Sequence, residues 1–508
     1  MPLILAIDQS TSATKAVLFD EHGGVVDRES RDHAQHCPAP QRVEHDAAEI
    51  WRNVQAVVAA LTSRHAGRLH EIAGISLANQ RETFVVFDRV TGEPLRRAIV
   101  WQDRRGDEIC RQLAGQGAGD LVHRRTGLSL DGYFSGSKIR RLLDDEPEVR
   151  AALASGRAVV GTIDAYLVHR LTSGRVCAGD STNASRTLLF DIDRLAWSAD
   201  LCECFGVPPT ALPEVRESAA IYGETDVAGV LSHTVPLVGV IGDSQASLFA
   251  QRCFAAGTSK ATFGTGTSIL FNAGHERPTT TGTAATALAW VLHGRPTYAL
   301  EGMINSSAAT IAWLRDRLGL IADAAESEAL ATSVPDNGGV YLVPAFAGLS
   351  PPYAAVEARA AIVGLTAHSG RENVVRAGLE AIGYQVHDVL AMLAQQAGVV
   401  PDAVFADGGP TRNGFLMQFV ADITGVELTV TDVPEASALG AAMMGMLGLG
   451  WYSSTDEFSR LPRSLRNFRP RMPRAEADRL LAGWRDAVRR VELDPLPSEP
   501  DHTQEHAS

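Results

Sequence analysis

The sequence predicts an α/β protein built from two related halves, and three observations carry that prediction. Short apolar runs of β type alternate with segments whose apolar residues recur at helical spacing, as expected of layered strands and helices. The chain has 508 residues, too many for one hydrophobic core, so two domains of roughly 250 residues each are expected. Finally, a strand, a turn of small hydroxyl-bearing residues and a second strand open the chain and recur near its middle.

The opening hairpin pairs the run Leu3-Ile4-Leu5-Ala6-Ile7 with Lys15-Ala16-Val17-Leu18-Phe19-Asp20, and a third strand is expected over Gly24 to Arg28. Its counterpart runs from Ser259 to Phe263, turns through Gly264-Thr265-Gly266-Thr267-Ser268 and continues through Ile269-Leu270-Phe271. Helical spacing marks Glu49 to Ser63, Ala308 to Leu318, Arg371 to Gln396 and Ala436 to Leu447. A boundary near residue 250 suits the repeat, giving an N-terminal domain over 1–250 and a C-terminal domain over 251–490. The polar stretch 495–508 is expected to be a disordered tail.

Lys and Arg total 46 against 60 Asp and Glu, a formal charge of -14. That balance argues against a nucleic-acid backbone or an anionic membrane as the main partner. An anionic nucleotide remains compatible, because backbone N–H groups and one bound cation can outweigh the global charge. Six cysteines form no C-x-x-C pair and read as free thiols of a reducing, cytoplasmic protein. No basic segment precedes the first apolar run, which reads as a strand rather than a signal peptide. No apolar stretch reaches the roughly 18 residues of a membrane-spanning helix.

Five segments carry candidate chemistry, each with a plainer alternative. Asp8-Gln9-Ser10-Thr11-Ser12-Ala13-Thr14-Lys15 places a carboxylate at a strand end before a hydroxyl-rich turn. The Asp can hold a magnesium ion through water, while turn N–H groups and Lys15 meet phosphate oxygens; it can equally be a simple hairpin turn. In Gly264-Thr265-Gly266-Thr267 the glycines permit close backbone approach to an anion, or again a plain turn. Ala406-Asp407-Gly408-Gly409-Pro410 ends an apolar strand in bare backbone on which a base or ribose can lie, with a helix expected from about Asn413. Asp243, in Ile241-Gly242-Asp243-Ser244-Gln245, stands at a strand's carboxyl end, where open α/β sheets bind ligands. It is a candidate general base, or the N-cap of a helix starting at Gln245. Arg81 and Glu82, in Asn79-Gln80-Arg81-Glu82-Thr83, can grip vicinal hydroxyls or form a surface ion pair of little energetic weight.

Taken together and in this order, these segments resemble the FGGY family of carbohydrate kinases, and within it the glycerol kinases. The resemblance extends to Ala98-Ile99-Val100-Trp101-Gln102-Asp103-Arg104-Arg105, Tyr133-Phe134-Ser135-Gly136-Ser137-Lys138 and Thr182-Asn183-Ala184-Ser185-Arg186-Thr187, and it spans about residues 3 to 460. It implies two actin-like, ribonuclease-H-like ATPase domains with an interdomain cleft, ATP and Mg2+ as cofactors, and a homo-dimer or homo-tetramer. It further implies ATP-dependent phosphorylation of a small polyol, glycerol first, with Asp243 as general base. By the same resemblance Arg81, Glu82, Trp101 and Tyr133 contact the acceptor. Thr11, Ser12, Lys15, Thr265 and Gly266 contact phosphate; Ala308, Gly408, Gly409 and Asn413 contact the nucleotide; Asp8 and Asp243 orient the metal.

Two departures bear on the acceptor. Ser244 stands where the family usually carries Gln, and Ser268 where it usually carries an aromatic residue. Both leave a smaller, more polar side chain, which keeps a four- or five-carbon polyol or a ketose such as xylulose open as the acceptor. Ala308 and Ala312 replace an expected Gly and Gln without removing a phosphate ligand. Asp226 to Thr234 lacks the Gly-Lys-Gly-Gly-x-Arg loop of bacterial glycerol kinases, so no sugar-bisphosphate inhibition is expected. An actin-like ATPase with no small acceptor is the reading from a different class.

Overall fold

The computed structural model describes residues 2–280, 284–431, 433–461 and 463–493; the tail expected over 495–508 lies outside the described residues. The chain divides into two compact units, each discontinuous in sequence. One comprises Met1–Ala256, Asn272–Leu300 and Val433–Arg463; the other comprises Gly257–Phe271, Glu301–Asp432 and the chain from Ser464.

The first unit is organised on a six-stranded sheet. Its strands are β1 (Leu3–Gln9), β2 (Ala13–Asp20), β3 (Val25–Asp32), β4 (Ile72–Asn79), β5 (Ile221–Thr225) and β6 (Val235–Gly242), in the order β5-β6-β4-β1-β2-β3. The run β1-β2-β3 is antiparallel, while β4 lies parallel to β1 and β6 parallel to β4. The central strand β1 is buried along its whole length, as expected of a strand with both faces covered. On one side the helix Ala47–Arg64 turns Trp51, Val54, Val58 and Leu61 inward; it starts where the Asp46 carboxylate accepts the Ala48 N–H. On the other side the helix Ala436–Gly448 approaches so closely that a Cβ on Gly445 would lie 2.1 Å from Ser76 Oγ.

The second unit repeats the plan. Its strands β7 (Thr258–Phe263), β8 (Thr267–Gly274), β9 (Ala403–Asp407), β10 (Glu427–Thr431) and β11 (Leu465–Phe468) run in the order β8-β7-β9-β10-β11. The hairpin β7–β8 is antiparallel, β9 and β10 extend it in parallel, and β11 closes the edge antiparallel. The helices Arg371–Ala397, Gly414–Thr424 and Arg474–Leu493 share an aromatic core in which Tyr384 stacks on Trp484 at 5.2 Å and meets Phe419 edge-on. The Trp484 Nε1–H donates to Asp388 Oδ2 at 2.7 Å, so the buried indole nitrogen is satisfied.

The doubled hairpin and the α/β layering match the sequence reading. The third strand runs further than expected, to Asp32, because its solvent-facing charged residues hide the strand from an apolar count. The helix expected from Gln245 starts two residues earlier, at Asp243, with Gly242 as its cap.

Candidate active site

In the first unit, parallel pairing brings three strand ends together. Gln9 of β1 stands beside Asn79 of β4, and Gly242 of β6 beside the same Asn79. Asp8, Arg81 and Asp243 therefore emerge at one edge of the sheet, the edge where ligands of parallel sheets are bound. Asp8 is buried, and its Oδ1 has no hydrogen-bond partner among the described residues. Burial, and then the negative charge of Asp243, push Asp8 up to about 7, with Lys15 opposing them. Lys15 faces Asp8 across the hairpin, and its Nζ lies 2.6 Å from Glu435 Oε2; Arg28 holds the other Glu435 oxygen at 2.7 Å. At the turn, the Thr11 hydroxyl accepts the Trp101 Nε1–H at 2.9 Å, and Ser12 is exposed.

Asp243 opens the helix Asp243–Ala250, and its Oδ1 accepts the Ser244 N–H at 2.6 Å while standing 3.5 Å from Arg81 Nε. Its carboxylate is 30% exposed, against 6% for the Arg81 side chain, so the acid group remains reachable where its partner is fixed. Gly242 makes that arrangement possible: a Cβ there would lie 2.9 Å from Arg81 Cγ. The Gly242 N–H donates to Thr182 Oγ1 at 2.9 Å, and the Thr182 hydroxyl donates in turn to Asp180.

Arg81 and Glu82 do not form a surface ion pair. Both are buried, and Glu82, at φ 59°, turns its carboxylate to Arg186 Nε at 2.6 Å. The Ser135 hydroxyl donates to the Glu82 carbonyl at 2.7 Å. Trp101 and Tyr133 meet edge-on at 5.6 Å. Ser244 is half-buried on its helix.

In the second unit, the turn between β7 and β8 is closed by the Gly264 N–H donating to Gly266 O at 2.8 Å. A Cβ on Gly266 would sit 2.3 Å from the Ile304 carbonyl. The Ser307 and Ala309 N–H groups donate to Thr265 O and the Ala308 N–H to Gly264 O. The first amides of the helix Ala308–Asp316 are thus spent on docking the turn, while the Thr265 side chain stays exposed. Ser268, on β8, pairs with Thr262 and is half-buried.

A cavity of ≈ 450 Å³ lies in this unit, with Ala308, Ala312, Gly409 and Asn413 in its wall; Thr265, Gly266 and Gly408 are not among its lining residues. Gly408 instead shapes the chain: at φ +99°, a Cβ there would fall 1.9 Å from Phe263 O, whereas one on Gly409 would meet open space. Asn413 caps the helix Gly414–Thr424, its Oδ1 accepting the Leu416 N–H at 2.9 Å, and its Nδ2–H donates to Ser327 Oγ at 3.2 Å. Sequence reasoning missed Ile311, Leu379 and Ile382, the apolar floor of this cavity, and Arg315, Glu328 and Arg412 at its polar side. Apolar residues at helical spacing carry no signal that separates a cavity wall from a core.

Among the described residues, no group of three or more His, Cys, Asp or Glu side chains could hold a metal ion. What the first unit offers instead is two carboxylates of mutual repulsion, one with an unpartnered buried oxygen. That donor set suits a hydrated divalent cation completed by water and phosphate oxygens rather than a protein cage.

The N-terminal domain profile of the FGGY family of carbohydrate kinases matches residues 3–250, and the family's C-terminal domain profile matches residues 256–449. A glycerol kinase of Symbiobacterium thermophilum is 45% identical over 488 residues, covering 96% of this chain and 98% of its own length. A glycerol kinase of Rhodospirillum rubrum is 44% identical over 494 residues, covering 97% and 100%. Among solved structures, Plasmodium falciparum glycerol kinase with ADP superposes with a TM-score of 0.92 at 34% identity, over 97% of this chain and 98% of its own.

Proposed function

The chain belongs to the FGGY family of carbohydrate kinases, and from that premise we propose that it transfers the γ-phosphoryl group of ATP to glycerol, giving glycerol 3-phosphate. The observation that carries the reading at the level of chemistry is the partly exposed Asp243 carboxylate, held beside Arg81 at the carboxyl end of the parallel strands β1, β4 and β6.

Glycerol binds in the first unit, its hydroxyls bonded by Arg81 and Glu82 and its carbons packed against Trp101 and Tyr133. The reacting hydroxyl donates to Asp243. As its oxygen forms the new bond to the γ-phosphorus, the bond from that phosphorus to the β–γ bridging oxygen breaks, ADP leaves, and the hydroxyl proton passes to Asp243. Arg81 keeps the carboxylate aimed. By the family likeness, Thr11, Ser12, Lys15, Thr265 and Gly266 are the phosphate contacts. A magnesium ion, held through water by Asp8 and Asp243, would supply the positive charge that spreads the phosphoryl charge. The nucleoside lies in the cavity of the second unit, on Gly409 and beside Asn413 and Ala308, with Gly408 fixing the approach. The acceptor thus belongs to the 1–250 domain and the nucleotide to the 251–490 domain. By family likeness the enzyme works in the cytoplasm as a homo-dimer or homo-tetramer; light scattering that returned only the monomer mass would contradict the assembly.

A second reading, a larger polyol as acceptor, is favoured by Ser244, which is half-buried and whose hydroxyl has no hydrogen-bond partner among the described residues. Phosphorus and carbon NMR of the product tests the main reading. A phosphate ester on a primary carbon of glycerol, formed only when glycerol, ATP and magnesium are all present, supports it. ATP hydrolysis to free phosphate, unchanged by glycerol, overturns it.

A further inference from the structure

Lys138 lies in the helix Ser135–Asp145 and is fully buried. Its Nζ donates to two main-chain carbonyls, Trp101 O at 3.1 Å and Tyr133 O at 2.5 Å. Those carbonyls belong to the two residues whose rings meet edge-on at 5.6 Å. Each ring is fixed from other directions as well. The Trp101 N–H donates to Thr83 Oγ1 at 3.1 Å and its indole N–H to Thr11 Oγ1, while the Tyr133 ring packs edge-on against Phe134 at 5.3 Å.

An ammonium is an expensive group to bury for two carbonyls. The surrounding charges do not explain it as an ordinary ion pair. Glu82, Asp103 and Asp131 face Lys138 and favour its charge, and Arg104 opposes it. Each of those carboxylates is already paired with a guanidinium: Glu82 with Arg186, Asp103 with Arg105 and Asp131 with Arg104. Burial, the largest influence, pulls Lys138 down to about 8. The neutral amine would keep two N–H donors, but the bonds would lose their charge assistance.

We infer that Lys138 is a positioning residue for acceptor binding: by tying the Trp101 and Tyr133 main chains to one nitrogen, it sets the spacing of the two rings against which the polyol packs. The inference rests on the reading of those rings as acceptor contacts. It assigns Lys138 an effect on glycerol affinity that a merely structural lysine would not have.

Steady-state kinetics of the full chain test it. The Lys138→Met variant is expected to raise the glycerol KM at pH 7.5 tenfold or more, with kcat and the ATP KM within threefold of wild type. The wild type is expected to show a glycerol KM at least threefold higher at pH 9.5 than at pH 7.5, and the variant no such rise. A variant glycerol KM within twofold of wild type, or a loss confined to kcat and folded yield, overturns the inference. If Lys138→Met does not fold, the wild-type profile decides alone, and a glycerol KM flat from pH 7.5 to 9.5 overturns it. Wild type without glycerol-dependent turnover at pH 7.5 would defeat the functional reading itself, a result distinct from turnover whose KM ignores Lys138.

Discussion

Arg186 Nε lies 2.6 Å from Glu82 Oε1, and the two side chains are 1% and 2% exposed. A pair so deeply buried is held less by its net energy than by the cost of separating it. Arg186→Met removes the guanidinium paired directly with the Glu82 carboxylate, at an expected cost of about 3–5 kcal/mol. The double variant with Glu82→Gln should regain part of that stability. Chemical denaturation of the three proteins checks this; an Arg186→Met variant as stable as wild type would contradict it.

Asp243→Asn preserves the group that accepts the Ser244 N–H but removes the proton acceptor. Turnover should fall by about 10²–10⁴, the scale of a lost general base, with the thermal midpoint within a few degrees of wild type. Rates and calorimetry on one preparation separate the two effects. A variant retaining most of its turnover would remove Asp243 from the chemistry.

The start of the Asp243 helix is anchored by the Gly242 N–H on Thr182 Oγ1 at 2.9 Å. Thr182→Val keeps the shape and deletes the acceptor, leaving a buried amide unpaired at a cost of about 1–3 kcal/mol. Because that amide precedes Asp243, kcat should drop roughly tenfold, the effect of about 1.4 kcal/mol on the barrier, and Thr182→Ser should restore it. A valine variant with a lowered thermal midpoint and wild-type kcat would show the bond to be structural only.

Asp180 is fully buried, and burial pushes its carboxyl up to about 7 from an ordinary 3.8, against the hydrogen bonds it accepts from Thr182, Ser218 and Asn183. Between about pH 4 and pH 7 the folded chain keeps this proton and the unfolded chain releases it, so the Asp180 contribution to stability falls as pH rises through that window and levels off above it. Asp180→Asn removes the titration. Its stability relative to wild type should therefore improve steadily from pH 5 to pH 7.5. Urea melts at matched pH values check the slope, and a difference independent of pH would contradict the assignment.

Much of this was readable from residue order. The strand–turn–strand units around Asp8 and Gly264 were visible because buried β-strands leave continuous apolar runs and tight turns demand small residues. Asp243 was visible because it follows such a run directly. Pairings between distant segments were not. Nothing near Lys15 announces Glu435, which reaches it from the far end of the chain, and nothing near Glu82 selects Arg186 over the adjacent Arg81. Lys138 stands in a segment that the family resemblance marks, but nothing in that segment announces that its nitrogen donates to the Trp101 and Tyr133 carbonyls. The cavity beside Asn413 was hidden for a related reason, since Ile311 and Ile382 read as core on helices that also build a core.

The central claim is tested most directly by kcat/KM with magnesium and ATP for glycerol, erythritol, threitol, ribitol, xylitol, D-xylulose and L-ribulose, beside a control without acceptor. The account predicts that glycerol exceeds every other acceptor by tenfold or more, about 1.4 kcal/mol in transition-state binding, and that the control is silent. A four- or five-carbon acceptor ahead by that margin would contradict glycerol as the substrate, and an equally fast control would contradict the kinase reading altogether.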